Sequence, residues 1–341
     1  MAERSTITKR ALAAASAGRA WLDSPDGTRA GKWFSYGISA IILLMLVRST
    51  AGIGWQQVLS ALPWSLMFWL LFTGSYLLLP LVDWITYRRW WGFGWPAIAV
   101  FLKVRVMNEA LFTYSGHTYL LIWAAGRMEI DFDPDTPFRR LLGRGAGAGV
   151  DPRTSPFAAV KDMAITSGLA GNLATLLMLI VAFAMGGDEI LGQTVDPATL
   201  NFIVLSFAVL IVLSVAILLF RRNVMSMPAK ENMFAFRWHL FRVLAAHALI
   251  VGTWIVALPE IAISTWILLG ALRMVIGRLP LPNKELLFAA IAVGLTGDAS
   301  VEVAALMAAQ GALHLLFHGI ALVAAAAIEA RHPEMLAGRK G

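Results

Sequence analysis

The chain contains no cysteine and has few charged side chains. The lack of cysteine excludes disulfides, iron–sulfur clusters, thiolate nucleophiles and lipoprotein acylation. Only 14% of the 341 residues are charged and 58% are hydrophobic, whereas a typical soluble domain is about 25% charged and about 45–50% apolar. No polar stretch is long enough for a separate catalytic domain, so we expect no enzyme activity. The composition indicates a protein embedded in a membrane.

The sequence also lacks the short alternating segments that build a transmembrane barrel. It has several apolar runs of about 20 residues, the length of a spanning helix. We therefore predict an all-α, polytopic bundle of about seven to eight spans with re-entrant segments. It forms a single transmembrane domain over 34–328, with basic tails at 1–33 and 329–341. The predicted spans are 33–48, 62–85, 157–185, 200–220, 237–258, 261–276 and 301–327, with a basic loop between Arg221 and Phe236.

The net charge of +7 fits a membrane protein, since cytoplasmic loops collect Lys and Arg. No basic domain is present that could bind nucleic acid. We predict a multi-pass protein of a bacterial-type inner (plasma) membrane with a cytoplasmic N-terminus. We expect no cofactor. We also expect no metal site, because the alternating Asp131, Asp133 and Asp135 lack the Gly and distal Glu of a calcium-binding loop.

Residues 94–127 are apolar overall but carry Lys103, Arg105, Glu109 and His117. A charge at the bilayer centre costs roughly 2.5–3.5 kcal/mol on insertion scales, so such residues face a protein interior or a watery cavity. Positive-inside reasoning places both ends of this stretch on the cytoplasmic side. We therefore predict a re-entrant hairpin with its tip at 114–117, where Gly116 allows the turn.

A second interrupted segment follows Arg278. A proline-rich entry leads into the short apolar run 286–295, and Gly297-Asp298 precedes a long final helix. Paired short segments of this kind point to the substrate site of transporters. A re-entrant second segment would place the basic C-terminal tail on the outer side, against the positive-inside rule. The sequence leaves that conflict open.

Three motifs carry a resemblance to a known family. They are the basic-tryptophan segment 82–91, the segment 108–117 with Asn108-Glu109, and the proline-rich turn 279–285. Together they resemble the membrane domain of lysylphosphatidylglycerol synthases and their stand-alone relatives, a flippase-like superfamily. The resemblance covers about residues 35–327 and implies a lipid-handling bundle with re-entrant segments. His117 and Asn283-Lys284 depart from the family pattern, and the synthase's catalytic domain is absent.

The predicted function is to bind an anionic lipid or polyprenyl-phosphate-linked lipid and move it between leaflets. Arginine suits this role because its guanidinium can bind a phosphate with two hydrogen bonds. Arg105, Arg273 and Arg278 would hold phosphate, and Glu109 and Glu302 would balance charge or exchange a proton. The full set of candidate binding residues is Lys103, Arg105, Glu109, His117, Arg242, Arg273, Arg278, Lys284 and Glu302.

Two alternatives stay open. Arg105 and Glu109 are four residues apart, so they can form a buried structural pair, with Lys103 extending toward the interface. The chain can also be a non-transporting subunit or scaffold of a larger complex, with partner subunits and an associated pigment or haem. His314 and His318 lie on one helix face and are the candidate haem ligands; the departures at His117 and Asn283 favour this alternative.

Overall fold

The computed structural model describes residues 62–111, 114–127, 149–187, 189, 197–278 and 284–333. Every regular element in these ranges is helical. The predicted first span, the N-terminal tail, the alternating aspartates and the chain beyond 333 lie outside the described residues. The helices are α1 (Leu66–Trp91), α2 (Ile98–Ala110), α3 (Ser115–Arg127), α4 (Pro156–Ala184), α5 (Pro197–Leu219), α6 (Arg221–Val224), α7 (Ala229–Ala257), α8 (Ile263–Arg278), α9 (Lys284–Leu295) and α10 (Ser300–Arg331).

Four helices are long and apolar enough to cross a membrane. They are α1, α4, α7 and α10, with 26, 29, 29 and 32 residues. This confirms the prediction of a membrane-embedded, all-helical protein. The shorter stretch Phe207–Leu219 of α5 is also apolar. The predicted total of seven to eight spans is not confirmed over the described residues.

Local sequence signals explain where two of the long helices begin and end. Ser155 caps α4 by accepting a hydrogen bond from the Ala158 backbone N–H at 3.3 Å, and Pro156 occupies the first turn, where its missing N–H costs nothing. The predicted start of this helix is thus confirmed. Helix α1 ends at Gly92, whose φ of 65° is left-handed and whose N–H donates to the Arg88 carbonyl at 2.8 Å, a common glycine C-cap.

Helix α7 begins at Ala229, so the predicted loop up to residue 236 is wrong. The reason lies in the contacts of Glu231 in its first turn. The Glu231 carboxylate accepts hydrogen bonds from the Trp90 indole N–H at 2.8 Å and from Arg89 Nε at 3.1 Å. These contacts hold the first turn of α7 against the last turn of α1.

The same contacts define one end of the bundle, which we call the near end: the end of α1, the starts of α4 and α7 and the end of α10. The Trp91 indole N–H donates to the Pro152 carbonyl just before α4, at 2.9 Å. The rings of Trp95 and His332 lie 5.3 Å apart. Helix α10 therefore finishes at the end that carries Arg88 and Arg89.

The opposite, far end comprises the ends of α4, α7 and α9 and the starts of α8 and α10. Ala182 at the end of α4 packs with Leu268 of α8 and Leu295 of α9. The Trp266 indole N–H of α8 donates to the Leu258 carbonyl just after α7, at 3.4 Å. Helices α8 and α9 pack on each other, and both have their open ends here.

The predicted span over 261–276 would cross from the far end to the near end. Helix α8 does not reach the near end. Its last residue, Arg278, packs its guanidinium against Gly171, which lies near the middle of α4 (Pro156–Ala184). Helices α8 and α9 therefore form a hairpin, the far hairpin, that extends from the far end to the middle of the bundle. Because α8 turns back, α10 runs from the far end to the near end.

A buried carboxylate fixes the connection that precedes α7. Asp162 is fully buried in α4 and its Oδ2 accepts hydrogen bonds from the backbone N–H groups of Ser226 and Met227 at 2.8 and 2.7 Å. Lys161 donates to the Val224 carbonyl and to Ser226 Oγ, both at 2.7 Å. Buried backbone groups need such partners, and these bonds hold α4 and α7 in register.

Candidate functional site

Residues 94–127 fold as a second helical hairpin, the near hairpin, made of α2 and α3. The rings of Phe93 and Trp123 lie 4.7 Å apart, so the stretch ends beside its own start. Ser115 Oγ donates to the Met107 carbonyl at 2.6 Å, and Asn108 Oδ1 accepts from the Gly116 N–H at 2.9 Å. The geometry agrees with a chain that enters and leaves at one end of the bundle.

The turn of this hairpin includes Tyr114, the first residue of the predicted tip, but it does not use Gly116 as predicted. Tyr114 has the left-handed φ of 73°, while Gly116 is already inside α3. A Cβ at Gly116 would collide with the Val104 carbonyl of α2. Gly116 therefore lets the two helices approach closely instead of making the turn, as small residues do where membrane helices pack.

Four polar side chains form a closed ring in the middle of the bundle. Arg105 Nε lies 3.1 Å from Glu109 Oε1, and Glu109 Oε2 lies 3.2 Å from His318 Nε2. Since a carboxylate only accepts, His318 Nε2 donates, and in the neutral ring Nδ1 accepts from the Tyr76 hydroxyl at 2.7 Å. The ring closes because Arg105 donates to the Tyr76 carbonyl and its guanidinium lies 4.0 Å above the Tyr76 ring.

A second ion pair on α2 is more deeply buried. Lys103 Nζ lies 2.6 Å from Glu329 Oε2, and the two side chains are only 4% and 1% exposed. Lys103 thus holds the near hairpin to the last turns of α10. The predicted extension of Lys103 toward an interface does not occur, because Glu329 belongs to α10, which continues to Arg331 instead of ending near 327.

Arg242 of α7 joins three long helices. Its Nη1 lies 3.5 Å from Asp83 Oδ1 of α1, and its Nη2 donates to Ser167 Oγ of α4 at 2.8 Å. The buried Arg242 Nε has no hydrogen-bond partner among the described residues. One turn away on α7, His239 is 2% exposed, and neither of its ring nitrogens has a partner in the described part of the chain.

Arg278 contacts the same face of α4. Its guanidinium occupies the space that a Cβ at Gly171 would take. Ser167 and Gly171 are four residues apart, so they lie on one helix face about 5.4 Å apart along the axis. The two guanidiniums therefore flank one turn of α4. Within the described ranges, no carboxylate lies in ion-pair distance of Arg278, whereas Arg242 has Asp83.

The structure brings together some of the other predicted residues but not all. His117 lies within electrostatic range of Asp83 and Arg242, and Arg278 within that of Tyr114 at the tip of the near hairpin. Arg273 lies 6.0 Å from the ring centre of Phe288, inside the far hairpin. Glu302 is exposed at the start of α10, away from the arginines, and the Lys284 side chain lies outside the described part.

Sequence reasoning missed five residues that make these contacts: Tyr76, Asp83, Ser167, His239 and Glu329. Asp83 alone gave a clear signal, since an acidic residue inside an apolar run is rarely without a role. Tyr76 and Ser167 resemble ordinary residues of a membrane helix, and Glu329 falls in a segment with the composition of a polar tail. Their importance depends on which helices are neighbours.

Comparison of the chain with models of protein families, with curated proteins and with solved structures finds no match.

Proposed function

We propose that this membrane protein binds the phosphate-bearing headgroup of an anionic or polyprenyl-linked lipid between its two hairpins and moves it between leaflets. The supporting observation is the unbalanced charge around α4. Arg242 pairs with Asp83, whereas the partly buried Arg278 has no carboxylate in ion-pair distance among the described residues, and an unpaired cation is costly in low dielectric. A bound anion would supply the missing charge, and the guanidinium fork suits phosphate.

The arrangement of the hairpins supports movement as well as binding. The near hairpin starts and ends at the near end, and the far hairpin at the far end, so the two are opposed. Backbone that turns inside a membrane is tolerated where protein buries it or where it lines a cavity. Transporters place substrate sites near the midplane at such interrupted helices. We propose that both hairpins are re-entrant and that their tips flank the lipid headgroup.

This arrangement also addresses the orientation of the chain. With the near end on the cytoplasmic side, Arg88, Arg89 and the end of α10 all lie there, as the positive-inside rule favours. The basic C-terminal tail then also falls on the cytoplasmic side. The reason is that the far hairpin of α8 and α9 starts and ends at the far end, and α10 runs back from there to the near end. A bacterial-type inner membrane, a cytoplasmic N-terminus, the flippase-like resemblance and the lack of enzyme activity stay predictions.

Site-directed labelling tests the near hairpin. The chain has no native cysteine, so the variants Arg88→Cys and Gly126→Cys each carry one thiol. Both thiols should react with an impermeant maleimide from the same side of sealed vesicles. Labelling from opposite sides would mean that 94–127 crosses the membrane once, and the re-entrant near hairpin would be wrong.

Lipid movement is tested in liposomes with a fluorescent phosphatidylglycerol and a quencher added outside. The protein should increase the quenched fraction beyond the outer leaflet, and Arg278→Gln should abolish the increase. Arg331→Gln is the matched control, since it removes one positive charge from an exposed position at the end of α10. Equal quenching with and without protein would contradict transport.

The contacts of the histidines do not favour the haem-associated subunit. Both ring nitrogens of His318 are engaged, by Tyr76 and Glu109. His314 donates its Nδ1–H to the Gln310 carbonyl at 3.0 Å, which leaves Nε2 as its single ligand nitrogen, so the two histidines do not form a free ligand pair. Iron binding at His318 would require breaking the closed ring. We therefore propose no second function.

A further inference from the structure

We infer that the seat for the headgroup is one turn of α4, Ser167 to Gly171, where Arg242 and Arg278 bridge a single phosphodiester and Asp83 sets its charge. This inference rests on the proposed function and narrows its substrate class. It moves the phosphate site away from Arg105, which the sequence had favoured, because the Arg105 guanidinium is already occupied by Glu109 and by the Tyr76 carbonyl.

The spacing of the two guanidiniums suits one phosphate. Arg242 reaches Ser167 Oγ and Arg278 packs on Gly171, so the groups are separated by about one helical turn, or about 5.4 Å along α4. Guanidiniums at that spacing can each donate to a different oxygen of the same phosphate. His239, which is buried and has no hydrogen-bond partner among the described residues, lies one turn from Arg242 on α7, so we propose it as a further N–H donor.

The charge balance favours a diester. Among the described side chains of the seat, the guanidiniums of Arg242 and Arg278 and the carboxylate of Asp83 sum to one positive charge. A phosphodiester carries one negative charge and neutralises the seat. A phosphomonoester, whose second pKa is about 6, approaches two negative charges above neutral pH and would leave a buried negative charge next to Asp83. The seat therefore selects diester lipids over monoester and diphosphate lipids.

Gly171 positions the Arg278 guanidinium in the seat. Any side chain at 171 would displace the Arg278 guanidinium, since a Cβ there would overlap it. Gly168 provides a matched control on the same helix, because a Cβ at 168 would have nothing within 4 Å. Gly171→Ala and Gly168→Ala differ only in whether the new methyl group enters the proposed seat.

The experiment measures binding to the full-length protein in detergent at pH 8, by native mass spectrometry and thermal shift. The lipid probes are short-chain phosphatidylglycerol, phosphatidic acid and phosphatidylcholine; dimethyl phosphate and inorganic phosphate test whether the free anion suffices. We expect phosphatidylglycerol to bind best. Gly171→Ala should weaken it about tenfold or more, the equivalent of one charge-assisted hydrogen bond, and Gly168→Ala should bind as wild type.

The variant Asp83→Asn tests whether Asp83 sets the charge of the seat or only stabilises the fold. It raises the net charge of the seat by one. The affinity for phosphatidic acid relative to that for phosphatidylglycerol should therefore rise about tenfold, which is roughly the contribution of one hydrogen bond to a charged group. A general loss of packing would weaken both lipids equally. Elution position and helical circular dichroism confirm that each variant is folded.

Every result bears on the seat. Unchanged phosphatidylglycerol binding in Gly171→Ala, or an unchanged lipid preference in Asp83→Asn, would overturn it. If dimethyl phosphate binds and the lipids do not, the seat is supported and its ligand is a free phosphodiester. If wild type moves lipid in liposomes but Gly171→Ala moves it equally well, the seat is wrong and the proposed function stands. If binding follows these expectations without lipid movement, the seat stands and transport is wrong.

Discussion

Two groups of charged side chains within this bundle differ in how they are neutralised. On the α10 side, Lys103 pairs with Glu329, and Arg105 with Glu109, so each cation has its own carboxylate. On the α4 side, Arg242 pairs with Asp83, and no described carboxylate lies in ion-pair distance of Arg278. Buried charges are stable when paired and hydrogen-bonded. We therefore interpret the balanced group as structural and propose the unbalanced group as the binding site.

The comparison can be tested by removing charges on each side. Mutations in the balanced group should cost stability and leave lipid binding intact in the protein that remains folded. Mutations in the unbalanced group should do the reverse.

Lys103→Met should be the most destabilising change, by about 3–5 kcal/mol, because it leaves Glu329 buried without its cation. Unfolding in mixed detergent micelles measures the loss. The double variant Lys103→Met/Glu329→Leu should recover most of it, since an apolar pair of similar volume replaces the ions. If the double variant is as unstable as the single one, the ion pair is not the cause.

Gly116→Ala should destabilise the protein by about 1–3 kcal/mol, because the new methyl group meets the Val104 carbonyl and forces α2 and α3 apart. Gly126→Ala on the same helix is the control; its Cβ would have nothing within 4 Å. Thermal unfolding compares the two. Equal stability of both variants would contradict the close packing of the near hairpin.

Tyr76→Phe should cost about 1 kcal/mol, since it removes the hydroxyl that pairs with His318 Nδ1 and keeps the aromatic packing. Tyr114→Phe, at an exposed ring, is the matched control and should be neutral. A double variant with His318→Ala measures the coupling between Tyr76 and His318. Additive effects would show that the ring is not closed through this bond.

Arg278→Gln should change the free energy of unfolding by less than about 1 kcal/mol, and in the stabilising direction, because it removes a partly buried charge that lacks a carboxylate among the described residues. The same unfolding measurement applies, with Arg331→Gln as the control. A loss as large as that of Lys103→Met would show that Arg278 has a structural partner, and the contrast between the two groups would disappear.

The sequence alone determined the class of the protein and much of its layout. Uninterrupted apolar runs require spanning helices, because lipid offers backbone groups no other partners. Ser155-Pro156 marked the start of α4. The charged residues within 94–127, together with the positive-inside rule that places both ends of this stretch on one side, predicted a segment that folds back on itself. Helices α2 and α3 have that geometry.

Only the tertiary structure decided which charges are neutralised and which are not. The i, i+4 spacing of Arg105 and Glu109 allowed their pairing to be predicted, but Glu329 lies 226 residues from its partner Lys103. The packing of α8 against α4 brings Arg278 to Gly171. Pairing of buried charges depends on distances of a few ångströms between different helices, and local sequence patterns do not contain those distances.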